Sequence, residues 1–103
     1  MRLFKDPHAT LDYLWDWGDW LAAGETITAI QIVLTGGLTL ASDRPAPAII
    51  AGTRAGASVP SGAVLAWLAG GTVAPAPALA TCRITTSAGR IDDRTFLLMI
   101  VER

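Results

Sequence analysis

The chain has 103 residues, of which 51% are hydrophobic and 17% are charged, and its formal net charge is −1. That length gives room for one domain around a single core, and the balanced charge shows no electrostatic footprint for nucleic acid or an anionic membrane. Because so few charges leave apolar area exposed on a small surface, the composition is typical of a component of an assembly.

The first ten residues, "MRLFKDPHAT", are too polar and too interrupted by proline to fold alone. They also lack the apolar run of a secretory signal, so synthesis in the cytoplasm is expected. We therefore predict an N-terminal arm over residues 1–10, followed by one domain over 11–103. The residues of the arm expected to dock on an adjacent protein are Leu3, Phe4, Lys5, Asp6 and Pro7.

The next stretch, "LDYLWDW", alternates apolar and mostly polar residues from position 11 to 17. This period of two and the aromatic enrichment predict a strand that Gly18 ends. In "DWLAAG", Asp19 occupies an N-cap position and Gly24 a position suited to left-handed backbone. A short helical turn is therefore predicted near Asp19–Ala23.

The middle of the chain contains several weaker strand signals. A strand is predicted over 25–34, a turn at Gly36-Gly37, a short strand in "LTLA" and a weak edge strand around Ile49 and Ile50. "AVLAWLAGG" is a strand or short helix, and its neighbours favour a strand. Residues 55–82 carry no charge, but glycines and prolines interrupt them, so no membrane span is predicted.

The last quarter predicts a hairpin. "ALATCRITTS" and "IDDRTFLLMIVER" are rich in β-forming residues, and Gly89 between them supplies the positive φ of a tight connection. Short strands, regular turn signals and no long helix indicate an all-β chain. The fold class predicted is a small immunoglobulin-like antiparallel β-sandwich.

The tryptophan-rich stretch has two interpretations. Flat rings with nearby carboxylates could bind a sugar, and a carbohydrate-binding module would then expose Trp20 or Trp67. The interpretation that we favour places Tyr13, Trp15, Trp17 and Phe96 in the core as anchors. Trp20 and Trp67 remain candidate contact residues.

No motif predicts catalysis, a metal or a cofactor. His8 is the only histidine and lies in the predicted arm, where a triad would lack a rigid orienting shell. Asp92 and Asp93 could contribute to a Ca²⁺ site, but adjacent strand residues point to opposite faces, so carboxylates paired loosely with Arg90 or Arg94 are favoured. Cys82 is the single cysteine, which excludes an intrachain disulfide, and its expected role is core filling.

Two stretches, "KDPHATLDYLWDWGDWLAAGETI" and "TCRITTSAGRIDDRTFLLMIVER", resemble the small fibre-to-tail adaptor proteins of tailed bacteriophages and prophages. In that family a Lys-Asp-Pro opening precedes a Leu-Asp-Tyr segment, and the chain closes on a hairpin rich in Arg, Thr and Asp. The matching positions here are Lys5-Asp6-Pro7, Leu11-Asp12-Tyr13, Asp16-Trp17, Trp20-Leu21, Cys82 to Thr86, Gly89-Arg90, Asp92-Asp93 and Arg94 to Phe96.

The resemblance implies a structural virion protein with an immunoglobulin-like fold and no catalytic residues. Its expected role is to link the tail or tail tip to fibres or neighbouring tail proteins, as a homo-oligomeric ring or symmetric set. A connector at the head-to-tail junction or on the capsid is the remaining alternative within the virion.

Overall fold

The structure is a computed structural model that describes residues 2–102, and within that range the chain forms eight strands and no helix. In chain order the strands are β1 (Arg2–Lys5), β2 (Leu11–Asp16), β3 (Ile27–Leu34), β4 (Leu38–Leu40), β5 (Ala48–Arg54), β6 (Ala57–Gly70), β7 (Ala78–Thr86) and β8 (Ile91–Ile100). None of these described residues belongs to a helix long and apolar enough to span a bilayer.

The strands form two four-stranded sheets. The first sheet has the order β1-β8-β7-β3, in which only the β1–β8 pair is parallel. In the second sheet β6 is central, with β2 along one edge and both β4 and β5 along the other. The prediction of an all-β sandwich is confirmed.

The predicted C-terminal hairpin is formed by β7 and β8. Gly89 has φ +80°, and the Thr86 backbone N–H donates to the Arg90 carbonyl at 2.9 Å. Along β7 every second residue is buried, from Ala78 to Thr86, because alternate side chains of a strand point to opposite faces. The hairpin therefore supplies one wall of the core.

A second hairpin was only partly anticipated. The sequence predicts a weak strand near Ile49, whereas β5 and the fourteen-residue β6 form a long antiparallel pair whose register shifts between Ile50 and Gly52. Its two-residue turn, Ala55-Gly56, has φ +48° and +82°, as a type I′ turn requires. Alanine rarely adopts that conformation, so the composition gave no strong turn signal.

The helical turn begins earlier than predicted. Backbone N–H groups of Trp20 and Leu21 both donate to the Trp17 carbonyl, at 2.9 and 3.0 Å. Asp16 rather than Asp19 caps this turn, because its carboxylate accepts the Gly18 N–H at 2.8 Å. The turn is too short to count as a helix, but Gly24 has the predicted left-handed backbone, with φ +77°.

The predicted boundary after residue 10 does not coincide with a structural boundary. Arg2–Lys5 pairs with Leu97–Ile100 of β8, and the Val101 N–H donates to the Lys5 carbonyl at 2.9 Å. Polarity suggested a detached arm, but backbone hydrogen bonds to a neighbouring strand do not depend on side-chain polarity. The described part of this segment is therefore an edge strand of the first sheet.

The core lies between the two sheets. Trp17 is completely buried, Trp15 and Tyr13 are almost so, and Phe96 is partly buried against them. The Phe96 ring lies 5.1 Å from the Trp15 ring and 6.0 Å from the Tyr13 ring, between centroids. Cys82 is also buried, and desolvation raises the pKa of its thiol to about 12.

Candidate interaction surfaces

Residues from both resembling stretches meet at one end of the sandwich. The Trp17 indole N–H donates to the Asp92 carboxylate at 2.8 Å, although the two residues are 75 positions apart. The Arg94 guanidinium lies 5.0 Å from the Trp17 ring and donates to the Asp16 carbonyl at 2.7 Å. We call this region the tryptophan end, and define it as Asp16, Trp17, Trp20, Glu25, Thr86, Arg90, Asp92 and Arg94.

Glu25 is the most highly coordinated carboxylate of the tryptophan end. It is buried and accepts hydrogen bonds from both Arg90 Nε and Nη2, from the Thr86 hydroxyl and from the Ala22 backbone N–H. The bonds from Arg90 and then Thr86 are the largest causes that lower the pKa of Glu25 to about 2. This carboxylate therefore stays ionised at neutral pH and ties the turn to the C-terminal hairpin.

The two candidate contact tryptophans are both partly buried. The Arg90 guanidinium lies 3.8 Å from the Trp20 ring and also donates to the Trp20 carbonyl at 3.2 Å. Trp67 lies in β6 with the Arg44 guanidinium 5.4 Å from its ring. An arginine of the same chain therefore already stands near each of these partly buried rings.

Asp16 joins the tryptophan end to the second sheet. Its carboxylate accepts the Gly18 N–H at the start of the turn and also accepts the Thr53 N–H at 3.0–3.1 Å. Gly18 approaches the Thr53 backbone so closely that a Cβ at position 18 would collide with it. Arg54 completes the junction by donating from Nε to the Gly18 carbonyl at 2.9 Å. Gly18 therefore permits a close approach as well as ending the strand.

The predicted docking residues of the N-terminal segment separate into buried and exposed groups. Lys5 is 1% exposed, and its ammonium donates to the carbonyls of Asp6, Ala9 and Gly70 at 2.6–3.0 Å. Desolvation lowers the pKa of Lys5, although the nearby Asp6 acts in the opposite direction. Leu3 packs against the core, and Asp6 and Pro7 are half-buried, so Phe4, at 57% exposure, is the residue of this set most open to a partner.

The paired aspartates point to opposite faces of β8, as their adjacency predicted. Asp93 forms two hydrogen bonds to Arg83, at 2.7 and 3.0 Å, and these bonds lower its pKa. Asp92 instead accepts the Trp17 indole and lies 3.7 Å from Arg94. The expected pairing with Arg94 is therefore present, whereas Arg90 binds Glu25 and the partner of Asp93 is Arg83.

Possible metal ligands come together near the N-terminal segment. Asp6, His8 and Glu102 bring one ligand atom each within 4.8 Å of one another. Glu102 and His8 are exposed, and the Asp6 carboxylate already accepts the His8 backbone N–H at 2.7 Å. This arrangement is an acidic surface group with a histidine, and it does not identify a metal centre.

Both sheets carry apolar side chains on their outer faces. On the first sheet, Phe4, Leu79 and Val33 are 57%, 37% and 46% exposed. On the second sheet, Leu14 and Ile50 are 46% and 36% exposed, on strands that flank β6. Faces of this kind are available for contact with other proteins.

A cleft of about 480 Å³ opens along one side of the sandwich, between β2 of the second sheet and β8 of the first. We call it the lateral cleft. Apolar side chains from both strands line it, together with Asp16, Arg94 and Thr95 at its polar positions; the full lining is Leu14, Trp15, Asp16, Arg94, Thr95 and Phe96. Within residues 2–102 the buried Trp15 indole N–H finds no hydrogen-bond acceptor.

Sequence reasoning missed several residues that organise these surfaces. Local pattern places Glu25 only at the start of a strand, and it places Lys5 only in the predicted arm and in the Lys-Asp-Pro motif of the family resemblance. A carboxylate directly after the left-handed Gly24 was the available signal for Glu25, since such a side chain can turn back to the Ala22 N–H. Nothing local indicated that Lys5 would reach Gly70, 65 positions away.

Comparison with known proteins gives a family assignment. No curated protein matches the chain. A family model described as podophage GP4 fiber-tail adaptor protein gp77 matches residues 5–99, a range that includes the tryptophan end, the lateral cleft and nearly all of the two sheets. Because this match covers far more than half of the chain, the chain belongs to the podophage GP4 fibre-tail adaptor family.

Proposed function

We propose that the chain is a structural protein of a podophage tail, which links the tail or tail tip to fibres or neighbouring tail proteins. The observation that carries this proposal is the family match over residues 5–99. The chain would be made in the bacterial cytoplasm and would act as part of the virion. Its partners would be tail and fibre proteins.

The distribution of polar groups supports a role in contact rather than in chemistry. At the tryptophan end the carboxylates of Glu25 and Asp92 are bound to arginine or tryptophan donors of the same chain. Apolar side chains, in contrast, remain exposed on both outer faces. Such a molecule offers shape and apolar area to its neighbours.

The immunoglobulin-like character of the sandwich is part of the proposal. β7 lies between β3 and β8, and β6 lies between β2 and the β4/β5 edge. Taken in chain order, β3, β7 and β8 correspond to strands C, F and G of an immunoglobulin constant-type domain. Likewise β2, the β4/β5 edge and β6 correspond to strands B, D and E. The first strand differs, because β1 pairs with β8 instead of β2.

Association of several copies is supported by the free edge of β3. This strand pairs with β7 on one side, and Ile27–Leu34 contains no charged residue or proline that would discourage pairing on the other side. Exposed Phe4 on the opposite edge strand offers a further apolar contact. A ring or symmetric set of copies would cover these features.

The proposal is tested by electron cryomicroscopy of phage particles assembled with and without this chain. We expect density for the sandwich where the fibres join the tail, and particles without the chain should lack fibres. Fibres that remain attached in its absence would refute the proposal. Density confined to the head-to-tail junction or capsid would assign a connector role instead, and binding on a glycan array would favour the carbohydrate-binding alternative.

A further inference from the structure

We propose that the lateral cleft binds one extended, alternately apolar segment of a tail or fibre protein, which adds as a strand beside the open half of β8. This inference rests on the proposed adaptor function and specifies how one partner is held. Three independent features of the cleft support it: an unpaired strand edge, an apolar lining and an unsatisfied buried donor.

The unpaired edge belongs to the first half of β8. β1 pairs only with Leu97–Ile100, so within the described chain no strand pairs with β8 on this side between Ile91 and Phe96. The Val101 N–H points toward β1. Along a strand the backbone N–H and carbonyl groups of successive residues point alternately to its two edges, so every second residue before Val101 points to the same edge. Residues 91, 93 and 95 therefore direct their N–H and carbonyl groups outward, in line with β1.

The apolar lining comes from both sheets. Leu14 is 46% exposed at the rim, while Trp15 and Phe96 lie deeper with ring centroids 5.1 Å apart. A strand added to β8 would direct alternate side chains between the sheets, toward Trp15 and Phe96. The incoming segment should therefore carry an apolar residue at every second position.

The unsatisfied donor is the Trp15 indole N–H. Trp15 is 2% exposed, and its Nε1 is the buried side-chain donor or acceptor without a partner in the described part of the chain. Leaving such a group without an acceptor is unfavourable, because the donor has lost its hydrogen bond to water and gained none in return. Because Trp15 lines the cleft, an occupant whose oxygen reaches Nε1 would recover that hydrogen bond.

The shape of the cleft favours a single chain over the edge of a second folded sandwich. The two sheets flank the cleft, and at one end of it β1 already pairs with the second half of β8. In an immunoglobulin constant-type domain strand A lies beside strand B, whereas here no strand of the described residues pairs with the corresponding edge of β2. A partner segment would occupy this uncovered side of the sandwich.

The test compares binding of purified tail and fibre proteins from the same phage to the full chain and three variants. Leu14→Asp places a carboxylate at the rim, and Thr95→Pro removes an outward N–H from β8. Val73→Asp is the control for an added carboxylate, because Val73 is 52% exposed but lies outside the strands, in the connection between β6 and β7. Thermal unfolding followed by circular dichroism verifies that each variant is folded.

We expect Leu14→Asp and Thr95→Pro to weaken binding of one partner about tenfold or more, equivalent to at least ~1.4 kcal/mol, with Val73→Asp close to wild type. Peptides tiled from that partner should move the Trp15 indole N–H resonance, assigned with Trp15→Phe, downfield. Equal binding by the wild type and both cleft variants would overturn the cleft while leaving the adaptor role intact. Failure of every tail and fibre protein to bind the wild type would overturn both.

Discussion

The tryptophan end and the lateral cleft lie on the same strands but differ in how their polar groups are satisfied. At the tryptophan end the indole N–H of Trp17 donates to Asp92, and Glu25 accepts four hydrogen bonds. The indole N–H of Trp15, a residue that lines the cleft only two positions away, has no acceptor in the described chain, and the first half of β8 has no strand partner on this side within residues 2–102.

This difference separates residues that maintain the fold from residues that can contact a partner. A group whose hydrogen bonds are complete within the chain has little to gain from a ligand, whereas an unpaired donor or strand edge gains a bond on binding. The residues most prominent in the sequence, Trp17 and Arg90, belong to the first class. The partner site is therefore expected beside them rather than on them.

The largest predicted effect follows from removing an anchor of the tryptophan end. Trp17→Ala should lower the free energy of unfolding by about 4 kcal/mol, because Trp17 is completely buried. Trp17→Phe keeps much of the packing and loses the bond to Asp92, so its effect should be nearer ~1 kcal/mol. Urea denaturation measures both.

Ile91→Ala is the control for this comparison. Ile91 is 65% exposed at the start of the open half of β8, and its truncation should change stability by less than about 0.5 kcal/mol. If Ile91→Ala and Trp17→Ala were equally destabilising, the distinction between the two regions would be wrong.

A smaller, pH-dependent effect is expected at Glu25. Its pKa falls from an ordinary 4.5 to about 2 in the folded chain, so its contribution to stability is complete above pH 4.5 and declines as the pH falls toward 2. Glu25→Gln should lower the urea midpoint at pH 7 and flatten this decline. The pKa of Asp93 is also lowered, but its pair with Arg83 is exposed to water, so Asp93→Asn should change the pH profile much less than Glu25→Gln.

A Glu25→Gln variant with an unchanged pH profile would show that the Arg90–Glu25 pair does not stabilise the turn. The profile is obtained from urea midpoints measured at intervals between pH 2 and pH 7, with the wild type at each pH as reference.

The smallest effect is predicted for the ion pair on the outer face of the first sheet. Arg83 and Asp93 form a two-bond pair like that of Arg90 and Glu25, but their side chains are 53% and 42% exposed. Water screens such pairs, so Arg83→Gln should leave the urea midpoint within the error of the measurement. A shift as large as that of Glu25→Gln would contradict the assignment of polar stabilisation to the tryptophan end.

Much of the fold was predictable from local pattern. Alternation in β7 and the glycine at position 89 identified the final hairpin, and Trp15 and Trp17 lie in the core that the aromatic spacing suggested. The candidate surfaces were less predictable. The bond from Lys5 to Gly70 and that from Trp17 to Asp92 join distant positions, and no local period reports on such pairs.

By itself, the sequence determined the all-β class, most strand positions and the resemblance to fibre-tail adaptors, because period-two alternation, turn residues and short motifs are local properties of the chain. The tertiary structure alone decided that Arg2–Lys5 forms an edge strand of the first sheet, and that charged residues of the two motif stretches, such as Arg90 and Glu25, bind each other. It also decided that, within the described residues, the first half of β8 has no strand partner on the side of the lateral cleft, which Trp15 lines. The physical reason is that whether a strand edge or a polar group is satisfied depends on its neighbours in space, which are distant in the chain.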